Sequence, residues 1–129
     1  MLALDHGTVR TGVAVSDETG TLARPLTVVE RVGTVAGFAA LLAVLEAERP
    51  QTIVVGLPVS LDGGEHQQAR LARAFAARLS DAVDVPVALY DERFTSRLAD
   101  QRGGSAARDA RAAATLLEDY LRMADEHGS

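Results

Sequence analysis

Three acids stand where carboxylate chemistry would be placed. Asp5 closes the short apolar run Leu2-Ala3-Leu4, Glu92 follows the apolar stretch Val85 to Tyr90, and Asp109 opens a helical pattern. Hard divalent cations such as Mg²⁺ and Mn²⁺ bind carboxylate oxygen, keep several waters and take substrate phosphate as well. Two such ions ~4 Å apart activate a water and stabilise the leaving oxygen of a phosphodiester. Converging carboxylates are what that reaction asks of a protein. Each acid also has a plainer role. Asp5, just before Gly7, can accept turn hydrogen bonds. Asp109 can be an N-terminal helix acid favoured by the helix dipole. Glu92 can pair with Arg93 or Arg97, and Asp91 beside it competes for any role.

The elements that would carry these residues are readable in outline. Met1 to Asp5 reads as a strand, and the apolar run from Val13 as a second, with Gly7 in the hairpin between them. Asp17 to Gly20 is a turn, and Leu26 to Val32 a third strand. Gly33-Thr34 opens a helix with Phe38, Leu41, Leu42 and Leu45 on one face, ended by Pro50. Thr52 to Leu57 is a continuous apolar run, as in a strand buried on both faces. A loop from Ser60 to Gly64 precedes a helix from about Glu65 to Ser80. Val85 to Tyr90 is the fifth strand. A short helix follows Thr95, and Arg108 to Met123 is the last helix.

The order β-β-β-α-β-α-β-α-α predicts an α/β fold with a mixed five-stranded sheet and helices on both faces. Helical crossovers make the later strands parallel, and the fourth should lie beside the first, in the centre. Parallel strands deliver their C-terminal ends to one edge, where open α/β sheets bind ligands. Asp5 and Glu92 would meet that edge.

Composition narrows the classes. The chain has 129 residues, enough for one domain, and no repeat or linker divides residues 1–129. With no Cys there is no disulfide framework, thiolate zinc site or Cys nucleophile. That suits a reducing cytoplasm, as does the lack of a charged leader or an apolar run of ~18 residues. All 13 basic residues are Arg, which together with the abundant Ala reads as a genomic base-composition bias.

The net charge of −5 argues at first against a nucleic-acid partner. Glu118 to Ser129 alone, however, hold four acids and one Arg. With that tail and the three candidate metal ligands set aside, the acidic surplus is gone, so nucleic-acid binding stays open.

Four stretches carry a family resemblance. Leu4-Asp5-His6-Gly7-Thr8-Val9-Arg10-Thr11-Gly12-Val13-Ala14-Val15-Ser16-Asp17 resembles the opening of the YqgF/RuvX family, relatives of the RuvC Holliday-junction resolvases in the ribonuclease H-like superfamily. Gly56-Leu57-Pro58 with Asp62-Gly63 is similar to the family's second motif. Asp91-Glu92-Arg93-Phe94-Thr95-Ser96 is similar to its third. Asp109 with Ala112-Ala113, Leu116-Leu117 and Tyr120-Leu121 is similar to its last helix.

The resemblance implies a ribonuclease H-like fold and a metal-dependent nuclease. Asp5, Glu92 and Asp109 would be catalytic and hold Mg²⁺ or Mn²⁺. It implies maturation of the precursor of 16S ribosomal RNA, or cleavage of Holliday junctions and other branched DNA. A homodimer would suit a two-fold junction, by analogy with RuvC. Asp91 and Asp62 remain alternatives to Glu92 as the third ligand.

Arg10, Arg93 and Gly7 are the substrate-side candidates. The two arginines offer fork-shaped donors to phosphate or neutralise the carboxylates. Gly7 and Gly12 allow close substrate approach or tight turning. His6 and His66 are general-base candidates or bystanders, Arg70 and Arg73 a phosphate-tracking pair or a solvated helix face, and Phe94 a stacking platform or core. The segment from Phe94 to Arg108 is shorter and less basic than the family's. A rival of another class is a catalytically weak nucleic-acid or protein binding module. The Asp5-x-Gly7-Thr8 pattern also resembles the phosphate loop of actin-like ATPases, which need two such domains.

Overall fold

A computed structural model describes residues 1–17, 20, 22–57, 67–91 and 106–126. The strands are β1 (Leu2–Asp5), β2 (Arg10–Ser16), β3 (Ala23–Glu30), β4 (Ile53–Leu57) and β5 (Val87–Asp91). The helices are α1 (Val35–Glu48), α2 (Gln67–Ala82) and α3 (Ala106–Glu126). The strands form one sheet in the order β3-β2-β1-β4-β5. β1 pairs antiparallel with β2, and β2 with β3, whereas β1–β4 and β4–β5 are parallel. The mixed sheet with β4 beside β1 is the expected one.

Alternation along the strands divides the core. Leu2, Leu4, Val13, Val15, Ile53 and Val55 face α1 and α2, packing with Phe38, Leu41, Phe75 and Leu79. Ala3, Val54 and Tyr90 face the other way and pack against Leu116 and Leu117 of α3. Helices therefore cover both faces. Each of those leucines is essentially fully buried, and burial of such a side chain contributes about 1.5–3 kcal/mol. Over β2 the α3 side is built from small residues, with Ala14 against Ala113 and Ala114. Small side chains let α3 lie close to the sheet.

Several boundaries differ from the sequence reading. β2 begins at Arg10, because Arg10, Thr11 and Gly12 pair with Glu30, Val29 and Val28 although none of the three is a large apolar residue. β3 begins at Ala23 and includes Pro25. The strand is at the sheet's edge, where proline is tolerated, and the register shifts between Val13 and Ala14, next to Pro25. β5 begins at Val87; just before it, the Pro86 carbonyl accepts from the Ile53 N–H at 3.0 Å. The short helix expected after Thr95 lies outside the described residues.

α1 starts at Thr34, whose hydroxyl accepts from the Gly37 N–H at 3.0 Å, an N-cap worth about 1 kcal/mol. It stops at Arg49 in the left-handed conformation, just before Pro50. Among the described residues, no helix is long and apolar enough to cross a membrane.

Candidate active site

Two of the three predicted acids come together through strand register. Asp5 is the last residue of β1 and stands directly opposite Gly12 of β2. Directly opposed residues of an antiparallel pair project to the same face. Leu2 and Leu4 face α1 and α2, so Asp5 and Gly12 face α3.

Gly12 is where α3 touches the sheet. A Cβ there would overlap the Asp109 carbonyl oxygen and lie 2.5 Å from its carbonyl carbon and 3.1 Å from the Ala110 nitrogen. Only glycine lets the first turn of α3 sit this close. The same contact sets Asp109, in that first turn, beside the strand position opposite Asp5. Gly12, expected to allow close substrate approach or tight turning, instead admits a helix of the same chain.

The hairpin that presents Asp5 is tightly built. A Cβ on Gly7 would overlap the Arg10 carbonyl oxygen, so Gly7 is needed for the turn itself. Thr11, fully buried, braces it: its hydroxyl accepts from the Gly7 N–H and donates to the Gly7 carbonyl, both at 3.4 Å. Sequence reasoning missed Thr11. Its signal is a hydroxyl residue set among the small and apolar residues Gly12 to Val15.

Arg10, at the start of β2, places Nε 2.9 Å from Asp109 Oδ2. Both side chains are partly exposed, so the pair sits at the rim of the site. Here Arg10 neutralises a carboxylate, one of the two roles expected of it.

His6 turns to the opposite side of the sheet from Asp5. Its ring stacks on Phe75 of α2, with centroids 4.7 Å apart and planes at 26°. Burial pushes its pKa below the ordinary histidine value, because desolvation disfavours the charged ring. Nδ1 is buried and has no hydrogen-bond partner among the described residues. Arg70 and Arg73, the expected pair on α2, are both exposed.

β1, β4 and β5 run parallel and end on Asp5, Leu57 and Asp91 at one edge, with Asp91 opposite Leu57. Because β4 intervenes, the backbones of β1 and β5 are about 9–10 Å apart, two strand spacings. Glu92, Arg93, Asp62, Gly63, Gly64, Ser60, His66 and Phe94 lie outside the described residues. Among the described residues no three ligating side chains cluster. Asp5 and Asp109 supply hard oxygen donors, and that chemistry fits Mg²⁺ or Mn²⁺ and not a soft metal.

This sheet order, with two helices on one face and a long C-terminal helix on the other, defines a ribonuclease H-like α/β domain. Thermus thermophilus RuvC aligns over 98% of this chain and 97% of its own, at a TM-score of 0.60 and 20% identity. The same protein in complex with a Holliday junction substrate aligns over 96% of each chain at the same TM-score. Within that class, residues 1–123 match the family described as "RuvX: Holliday junction resolvase", and the chain belongs to that family.

A protein of Anaeromyxobacter dehalogenans (strain 2CP-C), described as "Putative pre-16S rRNA nuclease", is 44% identical, with 93% of this chain and 94% of the relative covered. One of Maridesulfovibrio salexigens with the same description is 39% identical, over 96% and 98%. Nuclease chemistry, the hydrolysis of a phosphodiester, is the activity that this membership assigns to the chain.

Proposed function

We propose that the protein is a divalent-metal-dependent nuclease whose natural substrate is the precursor of 16S ribosomal RNA. The observation that carries the site assignment is the pairing of Asp5 with Gly12 beneath the first turn of α3. It sets the backbones of Asp5 and Asp109, each in a regular element, on either side of Gly12, which supports the two acids as partners in one site. Glu92, next in the chain after β5, is the third ligand in this reading, and residues 1–129 work as one catalytic domain.

Mg²⁺ or Mn²⁺ held by Asp5, Glu92 and Asp109 would supply water activation and charge stabilisation. The chain's own residues do the rest. Asp5 is fixed by its strand and Asp109 by the helix seated on Gly12. Arg10 holds Asp109 in place and partly neutralises it. When a substrate phosphate arrives, the Arg10 guanidinium is within a side-chain rotation of it and exchanges one oxygen partner for another. Arg93, two residues beyond β5 in the sequence, would offer the same chemistry in this reading. Gly7 keeps the hairpin tight so that Asp5 and Arg10 stay in register.

The substrate follows the relatives described as pre-16S rRNA nucleases. A second reading, cleavage of branched DNA by a homodimer, follows the family description and the junction-bound RuvC neighbour. Cleavage of labelled precursor RNA, single-stranded DNA and a four-way junction, with Mg²⁺ or Mn²⁺, separates the two. Asp5→Asn and Asp109→Asn should reduce cleavage to background while leaving the fold intact. Variants that cleave like wild type overturn the site. Binding without any metal-dependent cleavage would instead identify a binding module.

A further inference from the structure

On the side of the sheet away from Asp109 lies a concavity. It has a volume of about 260 Å³, and its walls include His6, Thr8, Leu71, Ala74, Phe75 and Arg78. We propose that this cavity is a nucleobase subsite, holding one unpaired base of the strand whose phosphodiester lies at Asp5 and Asp109. The proposal rests on the nuclease reading for its register, but its test does not depend on cleavage.

His6 follows Asp5 directly, and consecutive Cα atoms are ~3.8 Å apart. Alternation sends Asp5 to the α3 side and His6 to the α2 side, where it meets Phe75. A strand crossing the sheet edge with its phosphate at Asp5 therefore has its neighbouring base within reach of the His6 side.

Leu71, Ala74 and Phe75 make the walls mostly apolar, unsuited to a bare phosphate. The Arg78 guanidinium is already engaged, 3.8 Å over the Phe38 ring and 3.4 Å from the Val32 carbonyl. It borders the cavity as a planar, stacked cation without serving as a free anion hook. His6 Nδ1, buried and unpartnered among the described residues, is a polar atom that the edge of a heteroaromatic ring can satisfy. The Thr8 hydroxyl at the rim can donate or accept. Apolar walls, planar groups and a few edge-directed polar atoms are what base recognition uses.

The size agrees. The cavity is smaller than the ~300–1,000 Å³ of typical small-molecule sites, which suits one ring system. Leu71 is 37% exposed at its mouth, so a base can enter from solvent without opening the core.

The test uses single-stranded oligonucleotides carrying 2-aminopurine at successive positions, with fluorescence read at saturating protein. One position should be quenched by wild type. Ala74→Phe, which fills the cavity, and Leu71→Glu, which puts a charge at its mouth, should abolish that quenching and weaken binding about 5- to 150-fold, the range expected for losing one stacked base. Both substitutions fall at exposed positions of α2, and circular dichroism checks their folding. No quenched position, or quenching kept in either folded variant, overturns the subsite. Variant-sensitive quenching without cleavage would keep the subsite and sink the nuclease reading. Cleavage without quenching would do the reverse.

Discussion

Gly12→Ala is the sharpest perturbation of this architecture. In a strand, replacing glycine by alanine reduces the freedom of the unfolded chain and ordinarily stabilises by about 0.4–1 kcal/mol. Here the new Cβ would lie 2.5 Å from the Asp109 carbonyl carbon and overlap its oxygen. Carbon atoms in contact sit at about 3.5–4.0 Å, so the first turn of α3 must retreat by about 1 Å or more. Overpacking of this kind costs about 1–3 kcal/mol. For a domain of this size that lowers Tm by roughly 4–12 °C.

The larger effect falls on activity. The retreat carries Asp109 away from Asp5, and a displacement of ~1 Å at a reacting centre can cost ~100-fold in rate. The measurement is urea or thermal unfolding beside metal-dependent cleavage by the same preparation. The expected result is a modest loss of stability with a disproportionate loss of kcat. An alanine variant as stable and as active as wild type would refute the claim that α3 is seated on Gly12.

Arg10→Gln should change stability by less than about 1 kcal/mol, because its pair with Asp109 is partly exposed. It also removes the cation that competes for Asp109, so half-saturating Mn²⁺ should fall about two- to fivefold, the worth of such a pair, while substrate KM rises. An unchanged metal requirement would show that the pair does not guard the site. For His6, the folded-state pKa is lowered by burial, so the unfolded chain binds its proton first as pH falls. Its contribution to stability is full above about pH 6.5 and is lost as pH drops from there toward the folded value. Denaturant unfolding of wild type should therefore weaken between pH 7.5 and 5 more steeply than that of His6→Gln. Parallel curves would contradict the burial of this ring.

The parts of the fold that were legible in the sequence are those governed by local pattern. Leu2 and Leu4 alternate with Ala3, the run Ile53-Val54-Val55 is apolar throughout, and Phe38, Leu41 and Leu45 recur at helical spacing. These dictate strand, buried strand and helix through periodicity. The start of β2 was not legible, because Arg10, Thr11 and Gly12 are strand by virtue of their pairing with β3, which no local pattern announces. Pro25 hid the start of β3, since proline argues against a strand except at an edge, and sequence alone does not say which strand is the edge.

The site divides along the same line. Asp5 stood out because an acid ends a buried strand, and Asp109 because an acid opens a helix. What brings them together is the absence of a side chain at Gly12, a contact spanning most of the chain. A glycine between Thr11 and Val13 looks like conformational slack when only its neighbours are known. In the fold it is a volume constraint, which α3 fills with its backbone. The His6 cavity is likewise assembled from the β1–β2 hairpin, the β3–α1 connection at Val32 and Gly33, and one face of α2, segments with no shared pattern. The two sides of the sheet edge thus answer two different demands. Where α3 crosses β2, Gly12, Ala14, Ala113 and Ala114 trade side-chain volume for the close approach that seats the start of the helix. The α2 side, packed with Phe75, Leu71 and His6, keeps large planar and apolar groups near the same strand end, where a nucleic-acid strand would present its bases.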